Sequence, residues 1–109
     1  MGHVGPIVVE EAQKDAGLFG SLRRFRYAYR FEVASYLKQP ERVEISEHLP
    51  VSELDDIKVE VEEKTTPGFE LAEQDGILTW KLKLQPAEKK TVELAFHVDV
   101  PTSYESGGL

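Results

Sequence analysis

The sequence predicts an all-β domain, an antiparallel two-sheet sandwich of the immunoglobulin-like type with about seven strands. Apolar residues recur at every second position in one segment after another, which is the period of a half-buried strand and not of a helix. Five prolines lie between these segments or at their ends, where a residue without a backbone N–H is tolerated in a sheet. They are Pro40, Pro50, Pro67, Pro86 and Pro101. Short strands separated by turn signals are typical of a sandwich, and an open barrel is the structural alternative.

The first strand is predicted at residues 7–10, and residues 11–20 are predicted to form a loop or one short helical turn. The second strand begins near Arg24 and places bulky apolar side chains on one face, namely Phe25, Tyr27, Tyr29, Phe31 and Val33. If residues 24–37 were fully extended they would measure roughly 46 Å, at about 3.3 Å per residue. Because a small domain does not flank so long a strand, we expect a bulge or bend near residues 34–36.

The later strands follow the same alternation, at Val43 and Ile45, at residues 57–61, at residues 78–84 and at residues 92–100. A short run at residues 69–73 should pair with residues 77–84, because Asp75-Gly76 supplies the positive backbone angles that a tight hairpin requires. The predicted organisation is therefore a first strand and incoming loop at residues 1–21, a β-sandwich core at residues 22–101 and a flexible tail at residues 102–109.

Composition excludes several classes of protein. The 109 residues include no cysteine, so disulfide scaffolds and cysteine-ligated metal sites are excluded. No apolar run reaches the roughly 18 residues of a membrane-spanning helix, and we expect no signal peptide and no membrane insertion. The net charge is −7, and without a domain-wide basic face the sequence predicts no nucleic-acid partner.

Histidines are the first candidates for a metal ligand or a catalytic base, and the chain has His3, His48 and His97. His97 and Asp99 lie two residues apart on the outward face of the last strand, so both could reach one ion if a neighbouring strand supplied a third ligand. A solvated strand face is the favoured interpretation, and His48 is expected at the rim. Glycine-rich phosphate loops, zinc-binding helix motifs and serine elbows are missing from the sequence. We therefore predict no enzymatic activity, no cofactor and no metal.

Ser52 has a structural interpretation. Asp55 follows it by three residues, which is the spacing of a capping box at the start of a helical turn.

Charge is distributed unevenly. Residues 41–75 contain three basic and twelve acidic groups, whereas Arg24, Arg26 and Arg30 share the outward face of one strand. With Tyr36, these arginines form the predicted interaction surface, which would suit an anionic partner. The favoured alternative is cross-strand pairing with Glu44, Glu60 or Glu62 in the same sheet.

Aromatic residues could also form a platform that stacks on sugars, and Tyr27, Tyr29 and Trp80 are the candidates. All three lie on the apolar side of their strands, so we expect them in the core, with the tyrosine hydroxyls at its rim.

The order of the motifs is itself informative: Tyr-x-Tyr-x-Phe, Leu-Pro-Val-Ser, Gly-x-x-x-Trp and a final Val-Pro. Over residues 22–101 this resembles the C-terminal part of the mucoidy inhibitor A-like family, a domain of unknown function. The matching positions are Tyr27, Tyr29, Phe31, Leu49, Pro50, Val51, Ser52, Ile57, Val59, Gly76, Trp80, Pro86, Glu88, Val100 and Pro101. The resemblance implies the last β-sandwich module of a longer bacterial protein that has an N-terminal domain and a coiled coil. It implies no catalytic residues.

These observations favour a noncatalytic structural or protein-interaction module that ends a larger protein. Its partner would be another protein or other domains of the parent chain, and a homo-oligomer is a further option. Binding of a carbohydrate or cell-wall ligand is the alternative function. The resemblance points to the cell envelope or periplasm, while the residues themselves leave a cytoplasmic location open.

Overall fold

A computed structural model describes residues 7–103 of the chain, which form seven strands. They are β1 (Ile7–Phe19), β2 (Leu22–Ala34), β3 (Glu41–His48), β4 (Lys58–Val61), β5 (Glu70–Ala72), β6 (Ile77–Leu84) and β7 (Lys89–Pro101). Most of the tail predicted at residues 102–109, and His3, lie outside the described residues. No helix within residues 7–103 has the length and apolar character needed to cross a membrane.

The strands form two antiparallel sheets, which confirms the predicted all-β sandwich. The long sheet has the order β1-β2-β7-β4, and the short sheet has the order β3-β6-β5. In the long sheet, the inner face turns toward the short sheet and the outer face turns away from it. β2 and β7 pair over thirteen residues, from Leu22 opposite Pro101 to Ala34 opposite Lys89.

β1 is longer than the strand predicted at residues 7–10. The loop or helical turn predicted at residues 11–20 is wrong, because residues 7–19 form one strand that pairs with β2 along its whole length. Gly20 adopts a positive φ of 58° in the turn that joins the two strands. Every side chain from Val8 to Phe19 is exposed. Because both faces of this edge strand are exposed, neither face requires apolar side chains. The sequence therefore lacks the alternation of apolar and polar residues that predicts a strand.

β2 ends where a bend was expected. Its ladder stops at Ala34, and the chain bends over residues 37–39. Ser35 is almost fully buried at this point: its N–H donates to the carbonyl of Glu88 at 3.0 Å, and its hydroxyl donates to Glu41 at 2.9 Å. The prediction that no unbroken strand runs to Leu37 is confirmed, but the reason given for it is wrong, because β1 and β7 flank β2 over all thirteen of its residues.

The core lies between the inner face of the long sheet and the short sheet. Trp80 of β6 is at its centre, packed against Phe31 and Phe69, and its indole N–H donates to the carbonyl of Thr66 at 2.9 Å. The expectation that Trp80 is a core residue is confirmed. The buried apolar residues are Phe31, Val33, Val43, Ile45, Leu49, Leu78, Trp80, Leu84, Val92, Leu94, Ala95 and Phe96.

Two local predictions have different outcomes. The Asp75-Gly76 hairpin is confirmed, since it joins β5 to β6 and Gly76 has a φ of 72°. The capping box at Ser52 is wrong. The Ser52 hydroxyl accepts from the N–H of Leu54 at 3.1 Å, and a turn closed by a bond from Ile57 N–H to Leu54 carbonyl follows in place of a helix. A short hydroxyl can satisfy a backbone donor two residues on without helical geometry.

The molecule is elongated. Its radius of gyration is 17.2 Å and its extents are 55 × 29 × 25 Å, whereas a compact domain of this length has a radius near 13 Å. The long sheet contains three strands of thirteen residues, while the longest strands of the short sheet have eight. The short sheet therefore covers only part of the inner face.

Candidate interaction surface

The outer face of the long sheet carries a cluster of charged side chains from β2, β7 and β4. Arg24 of β2 donates two hydrogen bonds to Asp99 of β7, from Nε to Oδ1 at 2.7 Å and from Nη2 to Oδ2 at 2.9 Å. Both residues are opposite each other in the ladder. The Arg24 guanidinium lowers the pKa of Asp99, and the same contact raises the pKa of Arg24. A bidentate pair of this kind fixes the geometry of both side chains.

His97 occupies the centre of the cluster. Its Nδ1 lies 2.9 Å from Glu62 Oε2, and its Nε2 lies 3.5 Å from Glu60 Oε2 and 3.9 Å from Asp99 Oδ2. His97 and Asp99 are on the predicted outward face, but the expectation of a solvated face is wrong, because each is only 7% exposed. Side chains from the strands on both sides cover them. Within residues 7–103, no group of three or more histidine and acidic side chains is arranged to hold a metal ion.

The predicted interaction surface, Arg24, Arg26, Arg30 and Tyr36, does not form one continuous site. Arg26 reaches across β7 to Glu62 at 3.9 Å, and Arg30 lies 3.7 Å from Glu32. Tyr36 follows the end of β2 and is 64% exposed. The cross-strand pairing that was favoured for the arginines is thus present between Arg26 and Glu62, whereas Arg24 pairs with Asp99, which was not among the predicted partners.

Two details of that pairing differ from the prediction. Glu44 belongs to β3 in the short sheet, opposite Lys81, so it is not in the sheet of the arginines. Phe19 of β1 also contributes, since the guanidinium carbons of Arg24 and Arg26 lie 4.3 and 5.4 Å from its ring centre. Both distances are within the range of a cation–π contact, which attracts the arginines to this ring.

The inner face has a second surface of different character, which we call the aromatic groove. It is a shallow depression of about 530 Å³ lined by Tyr27, Tyr29, His48, Leu49, Pro50, Val51 and Phe96. Tyr27 stacks on Phe96 with ring centres 5.0 Å apart and planes 20° apart, and Tyr29 lies 6.3 Å from the same ring. Tyr27 and Tyr29 are half-buried, so the expectation that they are core residues with accessible hydroxyl ends fits their position at the margin of the core.

Carboxylates lie at one end of the groove. Burial raises the pKa of Glu47, and the nearby charge of Glu10 raises it further, although a hydrogen bond from the His48 backbone acts in the opposite direction. Burial likewise raises the pKa of Tyr29, with an additional contribution from Glu47. Among residues 7–103, no cation lies within ion-pair distance of Glu10 or Glu47. The groove therefore combines stacked aromatic rings with uncompensated negative charge.

The residues that match the family motifs lie in the core, in the groove and in the segments beside them. Gly76 and Trp80 are buried, Ser52 shapes the loop after β3, and Pro101 ends β7. Tyr27, Tyr29 and Pro50 line the groove, and His48 lies at its rim as expected. Sequence reasoning missed Thr65, a buried residue whose hydroxyl donates to the Ala95 carbonyl and accepts from the Ala95 N–H, both at 2.9 Å. No local pattern signals that role, because it depends on the path of the chain after β4.

Residues 4–102 match the family model described as Domain of unknown function (DUF4139). No curated protein and no solved structure matches the chain.

Proposed function

The chain belongs to the DUF4139 family, a domain of unknown function, and we propose that it is a noncatalytic protein-interaction module within a longer protein of the mucoidy inhibitor A-like kind. The observation that carries this proposal is the part of the inner face that the short sheet leaves uncovered.

The uncovered inner face lies toward the β1–β2 turn. In β2, burial is complete only at Phe31 and Val33 near the far end, whereas Phe25, Tyr27 and Tyr29 remain partly open to solvent. Exposed apolar side chains also occur beside this region, at Leu18 of β1 and at Val51 in the loop after β3. Several exposed or partly exposed apolar side chains on one face of a small domain are typical of a site that another protein covers.

The chemistry of the groove indicates what would cover it. Stacked tyrosine and phenylalanine rings favour apolar and aromatic side chains, and tyrosine hydroxyls can donate to backbone carbonyls. Glu10 and Glu47 at one end favour a lysine or arginine of the partner, since a cation there would offset their mutual repulsion. We therefore propose that the partner presents an apolar segment with a basic residue beside it.

The arginines of the outer face support a smaller role. Arg24 and Arg26 already contact Asp99 and Glu62, so an anionic partner would have to compete with carboxylates fixed in the sheet. Arg30 and Tyr36 are exposed and could contribute at the edge of an interface.

The test is a titration of this domain against the remainder of its parent chain, with the heat of binding measured by isothermal titration calorimetry. Val51 and Leu54 provide a matched pair, because they lie in the same loop and are 55% and 54% exposed, but only Val51 lines the groove. Val51→Asp is expected to weaken binding at least tenfold, and Leu54→Asp to change it less than threefold. Equal effects of the two substitutions, or no binding by the unmodified domain, would overturn the proposal.

A second candidate is binding of a carbohydrate or cell-wall ligand. The observation that favours it is the row formed by Tyr27 and Tyr29 beside the carboxylates of Glu10 and Glu47, since aromatic faces and carboxylates together can stack on sugars and bind their hydroxyls. Trp80 is excluded from such a platform by its burial. Retention of the domain on immobilised cell-wall polysaccharide, lost in Val51→Asp, would favour this candidate over a protein partner.

A further inference from the structure

The free edge of β1 is a further candidate surface, which shares only Glu10 with the aromatic groove and its carboxylates. Within residues 7–103, β1 pairs with β2 on one side and has no strand on the other. The exposed edge is thirteen residues long and forms an uninterrupted ladder with β2. Unpaired N–H and C=O groups along such an edge form a template to which another strand can add.

Symmetry limits how two copies of this edge could pair. Two identical edges that continue one antiparallel sheet are related by a two-fold axis perpendicular to the sheet. That axis keeps inner-face residues on the inner face, so each residue lies opposite a residue of its own face. The possible registers are therefore those centred on a single residue, which lies opposite itself.

The charges of β1 select one of these registers. Glu10 and Lys14 share the inner face, because they pair with the inner-face residues Phe31 and Tyr27 of β2. When Ala12 lies opposite Ala12, Glu10 of each copy lies opposite Lys14 of the other, which gives two complementary pairs. Direct cross-strand neighbours of opposite charge stabilise a sheet.

The neighbouring registers bring like charges together. A register centred on Gln13 places Glu11 opposite Asp15, whereas registers centred on Glu10, Glu11, Lys14 or Asp15 place a charged residue opposite itself. Among registers centred on residues 10–15, only the one at Ala12 avoids this repulsion.

We propose that the chain forms a two-fold dimer in which β1 pairs with β1 of a second copy, antiparallel and centred on Ala12. The two long sheets then form one continuous eight-stranded sheet. The dimer uses backbone groups of the β1 edge, and Val51 lies outside β1, so Val51→Asp should weaken binding of the partner and leave dimerisation unchanged. Glu10 belongs to both surfaces, so Lys14→Glu and Val51→Asp are the variants that distinguish failure of the dimer from failure of the proposed function.

The first experiment measures the dissociation constant of the dimer by analytical ultracentrifugation of the full 109-residue chain over a range of concentrations. It compares the unmodified chain with two single charge reversals and with the double variant that combines them. Glu10→Lys and Lys14→Glu are each expected to weaken dimerisation at least tenfold, and the double variant is expected to restore it to within threefold. Glu11→Lys is the matched control, since it makes the same change of charge one residue away but lies opposite the neutral Gln13; it should change the dissociation constant less than threefold. A chain that stays monomeric at every concentration, or a double variant no better than the singles, would overturn the proposal.

The second experiment reads the register directly. The chain has no cysteine, so Ala12→Cys introduces a single thiol that would face its own copy. Directly opposite residues in antiparallel strands have Cα atoms about 4.5–5.5 Å apart, which a disulfide can bridge. Gln13→Cys is the control, because its two copies would be offset by two residues along the strand, beyond the reach of a disulfide. Rapid oxidation to a covalent dimer is expected for Ala12→Cys alone, and equal rates for both variants would contradict the register.

Discussion

Replacement of Gly76 by alanine is expected to destabilise the domain by about 2–4 kcal/mol. Gly76 has a φ of 72°, which costs an L-residue with a side chain roughly 1–2 kcal/mol. A Cβ at this position would also lie 2.6 Å from the Leu49 carbonyl oxygen and 2.7 Å from Val51 Cγ2. The carbonyl is backbone that is held in place, since the N–H of Leu49 donates to the Gly76 carbonyl at 2.7 Å. Overpacking of this kind costs about 1–3 kcal/mol, and reduced entropy of the unfolded chain returns less than about 1 kcal/mol.

Two other glycines separate the contributions. Gly20 also has a positive φ, of 58°, but a Cβ there would meet nothing within 4 Å, so Gly20→Ala should cost about 1 kcal/mol or less. Gly17 has neither constraint, and Gly17→Ala should be neutral or slightly stabilising. Thermal and urea unfolding followed by circular dichroism would measure all three. For a domain of this size the loss at Gly76 corresponds to a fall in Tm of roughly 10–20 °C. A Gly76→Ala variant no less stable than Gly20→Ala would refute the contact with Leu49 and Val51.

Three further predictions concern polar side chains that are fully or partly buried. Thr65→Val should destabilise the domain by about 1–3 kcal/mol in urea unfolding because it leaves the Ala95 N–H unpaired, whereas Thr65→Ser should retain most of the stability. Arg24→Gln should lower the Tm at pH 7. Arg24 holds the folded-state pKa of Asp99 below its ordinary value of 3.8, so the Arg24–Asp99 pair stabilises the domain above pH 3.8. The difference in Tm between the unmodified domain and Arg24→Gln should therefore vanish as the pH falls through the folded-state pKa of Asp99. Glu47→Gln should raise the Tm at pH 7 but not at pH 3, because a raised folded-state pKa means that the ionised Glu47 carboxylate opposes folding. Equal changes in Tm at both pH values would show that the charge of Glu47 is not the reason.

The strands that the sequence analysis identified are those with one face on the core. β2 and β6 alternate because Phe31, Val33, Leu78 and Trp80 must avoid water while their neighbours remain outside. β1 has no such constraint, since its inner face lies beyond the short sheet and its outer face is solvated. β1 is held by backbone pairing with β2, and its side-chain pattern does not indicate that pairing. The same reason explains why residues 11–20 resembled a loop.

The charged cluster was partly within reach of sequence reasoning. Arg24 and Arg26, and His97 and Asp99, occupy alternate positions of one strand, and Glu62 follows Glu60 by two residues directly after β4, which places each pair on one face. What the sequence does not contain is the order of the strands. Only when β7 lies between β2 and β4 does Arg26 reach Glu62 over His97, and only then are His97 and Asp99 buried.

The strand order also changes the interpretation of the uneven charge along the sequence. Along the chain, the basic second strand and the acidic middle third are separate, which suggests a polar molecule with a free cationic patch. In the fold, β4 brings Glu60 and Glu62 to the outer face where the arginines lie, so much of the opposite charge meets within one sheet. The surfaces left without an internal partner are then the aromatic groove with Glu10 and Glu47, and the edge of β1. An interaction that depends on these surfaces should weaken when Val51 or Lys14 is changed and should be nearly insensitive to Arg24, which is the opposite of what the charge pattern of the sequence suggests.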